Sequence, residues 1–213
     1  NEDDLLNLVI SELGIRPNYN LINENIRKVV FVEGSGDVKF WECAINKLNG
    51  SLPTDILFLP SGGSQVDFFV NARLCRKINR NFIVVLDTDK GATDYASKAA
   101  NQQDLKLKVE ALGGTFEMLC KREIENYYHK DAIQRVLGVH YSLSAGFSIQ
   151  NFSDVKVDIE AEIPINVRSR LKFKSKNNEA IFNEMTSDEW RVCGFTEPNG
   201  KTDIENIIEK ILA

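Results

Sequence analysis

Two short runs of β-branched and aromatic residues, each ending on a carboxylate, constrain this chain more than any other feature. Val29-Val30-Phe31-Val32 runs into Glu33, and Gly34-Ser35-Gly36-Asp37 follows. Phe82-Ile83-Val84-Val85-Leu86 runs into Asp87-Thr88-Asp89. Apolar runs this short and continuous read as buried strands. Carboxylates at the carboxyl ends of parallel strands open into the crevice where α/β sheets bind ligands. An oxygen-only set in that position suits a hard divalent cation such as magnesium. The pattern points to metal-dependent phosphoryl chemistry.

The surrounding sequence alternates strand and helix signals. A helix is expected from about Asp37 to Leu48, a strand at Leu57-Phe58-Leu59, a helix from about Gln65 to Ile78 and, after the second acidic run, a helix over 94–111. Thr115 to Leu119 reads as a fourth strand, followed by Lys121-Arg122-Glu123-Ile124-Glu125-Asn126-Tyr127-Tyr128. Such alternation predicts a mainly parallel sheet wrapped by helices on both faces. Before it, Leu5, Leu6, Val9, Ile10 and Leu13 fall on one helical face. After it the pattern weakens: residues 130–160 are mixed, and helices are expected near 177–186 and 203–212. The second opens on Thr202-Asp203-Ile204-Glu205, a capping box. The expected organisation is an entry helix and linker over 1–27, an α/β core over 28–150 and a smaller, mostly helical accessory region over 151–213.

Composition bounds the function classes. The 213 residues are 43% hydrophobic and 27% charged, ordinary for a globular chain with one well-buried core. No apolar run approaches the roughly 18–20 residues that span a bilayer, and no signal segment opens the chain; a cytoplasmic protein is expected. The chain begins at Asn1 rather than Met, which suggests a piece of something longer. Cys43, Cys75, Cys120 and Cys193 are far apart and form no Cys-x-x-Cys pair, so free buried thiols are expected rather than a zinc site. The net charge of −5 argues against a surface that binds nucleic acid everywhere, which leaves local basic patches to do so.

Several patterns admit two readings. Glu33 and Asp37 share a crevice if the glycine-bearing loop turns directly into a helix, or Asp37 serves as a helix cap. Asp87 and Asp89 face one side if the segment is extended, where two carboxylates repel unless a cation lies between them. Ser61-Gly62-Gly63-Ser64 is either a phosphate-facing loop or a plain turn. Glu123 and Glu125 offer a third acidic locus, although glutamate is common in first helical turns. Arg168, Arg170, Lys172, Lys174 and Lys176 occupy alternate positions, a basic face for a nucleic-acid backbone or a charged sheet edge. Asn199-Gly200-Lys201-Thr202 lacks the glycine a P-loop requires at position 195, which is Phe195. His129 and His140 have no serine or cysteine constellation around them.

The order Val-Glu-Gly-x-x-Asp, Ser-Gly-Gly, Asp-x-Asp and Glu-Ile-Glu-Asn-Tyr resembles the Toprim domain, and within it the OLD (overcoming lysogenization defect) family of nucleases. Leu13-Gly14-Ile15-Arg16-Pro17 leading to Val29–Asp37 is similar to the junction where that family's ATPase passes into its Toprim half. Arg122 to Tyr127 is similar to its Glu-Asn-Tyr segment. Ser175-Lys176-Asn177-Asn178-Glu179-Ala180 through Thr186 is similar to its late lysine-bearing helix.

The resemblance implies a Toprim fold, Rossmann-like, and an Mg2+- or Mn2+-dependent endonuclease or nickase, DNA favoured over RNA, from an ATPase-linked antiviral defence protein. Glu33, Asp87 and Asp89 would hold one cation; Asp37 and Glu125, with Glu123, a second. Lys176 would approach the scissile phosphate, with Lys174 or Lys201 as substitutes if the basic strand is offset, and Arg168, Arg170, Lys172 and Lys174 would hold the nucleic acid. Two cations would activate water and stabilise the leaving oxygen. The family often has glutamate where this chain has Asp37, and the ATPase half, an expected partner, is absent from this sequence. A homo-oligomer is compatible. The alternatives are a Toprim-type module that binds nucleic acid without cutting it and a primase- or receiver-like protein, and Glu33-Gly34 does not belong in a receiver. Tyr127 and Tyr128 read as packing residues rather than as a topoisomerase nucleophile.

Overall fold

The computed structural model describes residues 25–62, 66–138, 141–165 and 178–213. The apolar runs form a four-stranded sheet of β1 (Lys28–Val32), β2 (Ile56–Pro60), β3 (Phe82–Leu86) and β4 (Thr115–Met118). Its order is β2-β1-β3-β4 and every pairing is parallel. Val29 pairs with both Leu57 and Phe82, so β1 is central and locked on both edges.

Alternation along the strands builds two cores. Val30, Val32, Ile83 and Val85 face α1 (Ser35–Asn49), where Phe40 and Trp41 meet them. The same cluster takes in α5 (Lys130–Leu137), α6 (Val155–Glu162), α7 (Asn178–Glu184), α8 (Ser187–Cys193) and α9 (Asp203–Leu212). Phe40 lies edge-on to Trp41, Tyr127, Phe182 and Trp190, with ring centroids 5.0–5.5 Å away; pairs of this geometry add to simple burial. Val29, Phe31, Phe82, Val84 and Leu86 face the other way, onto α2 (Val66–Asn71), α3 (Leu74–Ile78) and α4 (Tyr95–Ala111). Both faces of the sheet are therefore covered, as continuous apolar strands require.

Two helical expectations are revised. The single helix expected from Gln65 to Ile78 is two short ones, because Arg73 adopts a left-handed φ of 56° between α2 and α3. The helix expected near 177–186 ends at Glu184, and α8 follows it, opened by a reciprocal capping box between Thr186 and Glu189. The box expected at Thr202 and Glu205 is formed. All four cysteines are free, and Cys43, Cys75 and Cys193 are buried. Among the described residues no helix is long and apolar enough to cross a membrane. The entry helix and the basic segment, Arg168 to Lys176, lie outside the described residues.

Candidate active site

The chain leaves β1 for β2 on one side and returns past it to β3 on the other. The loops leaving β1 and β3 thus diverge from adjacent carboxyl ends, which opens a crevice at the switch point of the sheet. Glu33 follows β1 directly and Asp87 follows β3 directly. Asp37 stands in the first turn of α1, where its Oδ2 accepts the Gly34 N–H at 2.9 Å. The N-cap itself is Gly34, not Asp37; Asp37 reaches back to it from the third helical position, and its electrostatic neighbours lie in the acidic crevice.

Those neighbours are mostly anions. Burial pushes Glu33 up to about 7, Asp37 and Asp89 add to the rise, and Lys98 opposes it. Burial likewise pushes Asp37 up to about 6, against hydrogen bonds from Gly34 and its own N–H, and Glu125 adds to the rise. Asp87 is driven well above the carboxylate range by burial first, then by Asp37, Glu33, Glu125 and Asp89. Part of the Asp87 residue remains accessible, but its Oδ1 is sealed from solvent and has no hydrogen-bond partner. A buried carboxylate oxygen left without a donor is costly, and a cation among like charges removes both the repulsion and the missing contact. The donor set is all oxygen, which fits magnesium or manganese.

The expected extended Asp87–Asp89 segment is not present. Asp89 takes a left-handed φ of 53°, a conformation that Asp tolerates better than most residues. Its N–H donates to the Arg122 carbonyl at 2.9 Å, and its own carbonyl accepts from Ala92 at 3.0 Å. The turn delivers the Asp89 carboxylate to Lys98 of α4, at 3.1 Å. Glu33, Asp89, Lys98, Asn101 and Gln102 line an open pocket of about 320 Å³ on this side. Asp37 and Glu125 act on Asp87 beside it.

The segment after β4 supplies the rest. Glu125 lies in a 3-10 turn, Ile124–Tyr127, is 5% exposed, and meets Lys156 of α6 at 3.0 Å. Glu123 precedes the turn and pairs with Arg122 at 3.2 Å. Asn126 is buried because it ties the turn together: its amide donates to the carbonyls of Gln150, at 2.7 Å, and Ser153, at 3.0 Å, and its oxygen accepts from Glu123 N–H. Tyr127 is fully buried; its hydroxyl donates to Asp203 and accepts from Lys121 N–H at 3.1 Å. That commits Tyr127 to the core.

Other sequence candidates fall away from the crevice or outside the described residues. Ser61 is buried and its hydroxyl donates to the Val32 carbonyl at 3.0 Å, while Gly63 and Ser64 lie outside the described residues. Lys176, Arg168, Arg170, Lys172, Lys174 and His140 also lie outside them. Lys201 pairs with Glu209. Sequence reasoning missed Lys98, Lys156 and Gln102, whose Nε2 donates to the Asp87 carbonyl at 2.8 Å. Lys98 carried a faint signal, since a cation in the first turns of a helix opposes the macrodipole unless an anion faces it.

Among the described residues, the three-residue set whose ligating atoms fall within 4.8 Å of one another is His129, Asp131 and Glu189, not the crevice carboxylates. Glu189 is already gripped by Arg135 at 2.6 and 2.9 Å, which pulls its pKa down to about 2, and by Thr186 N–H at 2.8 Å. That set is a surface ion-pair network. No protein-family model, no curated protein and no solved structure matches this chain.

Proposed function

We propose that this chain is the Toprim-type nuclease part of an OLD-like protein, and that it hydrolyses phosphodiester bonds in nucleic acid, DNA favoured, with Mg2+ or Mn2+. The observation that carries the reading is the buried, unpartnered Oδ1 of Asp87, set among four other carboxylates at the switch point of a parallel sheet. Strongly perturbed groups gathered in a crevice mark functional sites more often than structural ones.

Glu33, Asp87 and Asp89 would hold one cation, and Asp37 with Glu125 a second, with Glu123 at the edge. Asp87 is the natural shared residue, since acids of both sets act on it. Bound there, divalent cations supply charge neutralisation at the phosphodiester and a more acidic water. The protein's own part is positioning. Gly34 N–H holds Asp37 in place, Gln102 holds the Asp87 backbone, and Arg122 holds the Asp89 turn. Such fixed geometry lowers the barrier without a covalent nucleophile. Lys176 and the basic residues Arg168, Arg170, Lys172 and Lys174 remain the proposed phosphate contacts, and an ATPase the proposed partner, on the resemblance alone.

A second reading, a nucleic-acid-binding module that does not cut, is favoured by one observation: the crevice carboxylates do not close to ligating distance of one another as a trio. Incubation with supercoiled plasmid and Mg2+ or Mn2+ separates the two, with Glu33→Gln, Asp87→Asn and chelator controls. Nicking that needs the metal and both acids supports the nuclease. Plasmid binding without nicking in either metal supports the module.

A further inference from the structure

We infer that Lys98 is a tethered counter-cation of the crevice, which gives up Asp89 when a divalent ion binds and then contacts a phosphate of the substrate. The inference rests on the nuclease reading for its substrate, but its first half concerns only the metal.

Three observations converge. Lys98 is placed 3.1 Å from Asp89 and 3.7 Å from Asp94, and among the described residues it is the cation that opposes the rise of Glu33. It does not meet Asp89 by accident of an extended loop. The left-handed turn at Asp89, fixed by the Arg122 carbonyl, aims that carboxylate at α4. Finally, Lys98 lines an open pocket together with Glu33 and Asp89, and its side chain is 37% exposed. It has room to move without unpacking the helix that carries it.

An ammonium and a divalent ion cannot share the same two carboxylates without repelling each other. The ion carries the larger charge and binds oxygen directly, so Lys98 is the group that leaves. Its flexible four-carbon stem keeps the released charge within reach of the crevice. An anionic backbone laid across the carboxylates meets that charge next to the ions. Lys98 thus screens the acids when the site is empty and engages phosphate when it is loaded. It acts through position rather than by touching the reacting atoms in the metal-free state.

The test compares Lys98→Ala and Lys98→Arg with the parent chain, and with Lys106→Ala, which removes a lysine that pairs with Glu110 on the same helix. Calorimetric titration with Mn2+ reads the first half. Losing a half-exposed competing ion pair should tighten Mn2+ binding about two- to five-fold in Lys98→Ala, and neither Lys98→Arg nor Lys106→Ala should do so. Binding of a 20-base-pair DNA duplex in Ca2+, over a range of salt, reads the second half. The salt dependence of Lys98→Ala should be shallower by about 0.9 in log–log slope, the loss of one phosphate contact. Unchanged or weaker Mn2+ binding in Lys98→Ala overturns the exchange. Tighter Mn2+ binding with an unchanged salt slope overturns the phosphate contact. A parent chain that binds no duplex overturns the nuclease reading together with the phosphate contact, while the Mn2+ titration still decides the exchange.

Discussion

Replacing Glu33 by Gln should make the metal-free protein more stable at neutral and alkaline pH. Burial and the carboxylates of Asp37 and Asp89 raise Glu33 from the ordinary 4.5 to about 7. A folded-state value above the unfolded one means the native state binds more protons between the two, so stability falls as pH rises through that window. At about 1.4 kcal/mol per pH unit, the displacement is a penalty of about 3 kcal/mol, fully expressed at pH 8. The same relation leaves under about 1 kcal/mol at pH 5. Gln keeps the shape of the protonated acid and removes the penalty. Part of the rise comes from neighbours that titrate with Glu33, so about 3 kcal/mol is a ceiling. For a chain of this length it corresponds to a Tm increase of up to about 6–12 °C. Urea denaturation in chelator at pH 5, 6, 7 and 8 measures it. A Glu33→Gln protein no more stable than the parent at pH 8, or one whose gain does not grow with pH, refutes an uncompensated charge in this crevice. Added Mn2+ should reverse the order, because only the parent gains from the ion.

Other outcomes follow from the same geometry. Divalent-ion affinity should rise steeply between pH 6 and 8, as Glu33 and Asp37 give up protons held to about 7 and about 6; calorimetry across that range checks it, and a flat profile counts against these ligands. Asp87→Asn should abolish the Mn2+-induced rise in Tm while leaving the metal-free protein at least as stable, since it removes a group whose ionised form burial and the neighbouring acids oppose. Gly91→Ala should destabilise by more than about 1 kcal/mol, because Gly91 has φ +95° and an added Cβ would lie 2.4 Å from the Phe152 carbonyl oxygen; the same change should weaken Mn2+ binding by disturbing the Asp89 turn. Asp203→Ala should lower stability by about 3–5 kcal/mol by chemical denaturation, since its buried carboxylate accepts from Tyr127 and from the Cys120 and Phe195 N–H groups.

Local signals carried the sheet. Continuous β-branched runs at Val29–Val32 and Phe82–Leu86, short and bounded by turn residues, read as covered strands, and the carboxylates directly behind them fall at strand ends. The helix at 203–212 was legible from its capping box. The equivalent box at Thr186–Glu189 was equally legible, and α8 was missed because the expected preceding helix, near 177–186, took in its N-cap Thr186. The break at Arg73 had no signal, since a left-handed arginine is imposed by tertiary packing. In the crevice, the identities of Glu33, Asp37, Asp87 and Glu125 could be read, but the direction of Asp89 could not. Its turn depends on a hydrogen bond to Arg122, which is remote in sequence. Lys156 escaped for the same reason, since it joins the site through an ion pair with Glu125 formed across the fold, and Lys98 because its pairing depends on the Asp89 turn.

The pairing of β1 with β3 has one more consequence. No single stretch of this chain contains the acidic centre, because Glu33 and Asp87 become neighbours only once Val29 has found Phe82 and the helices between them have been laid on the two faces of the sheet, α1 on one and α2 and α3 on the other. A nascent or partly degraded chain presents scattered carboxylates with ordinary solvation and no shared cavity for an ion. On the proposed function, the capacity to hold metal would thus be a property of the completed sheet. On the same reading, metal-dependent stabilisation would double as a report that folding has finished, and an incomplete copy of the protein would have no assembled centre with which to cut nucleic acid.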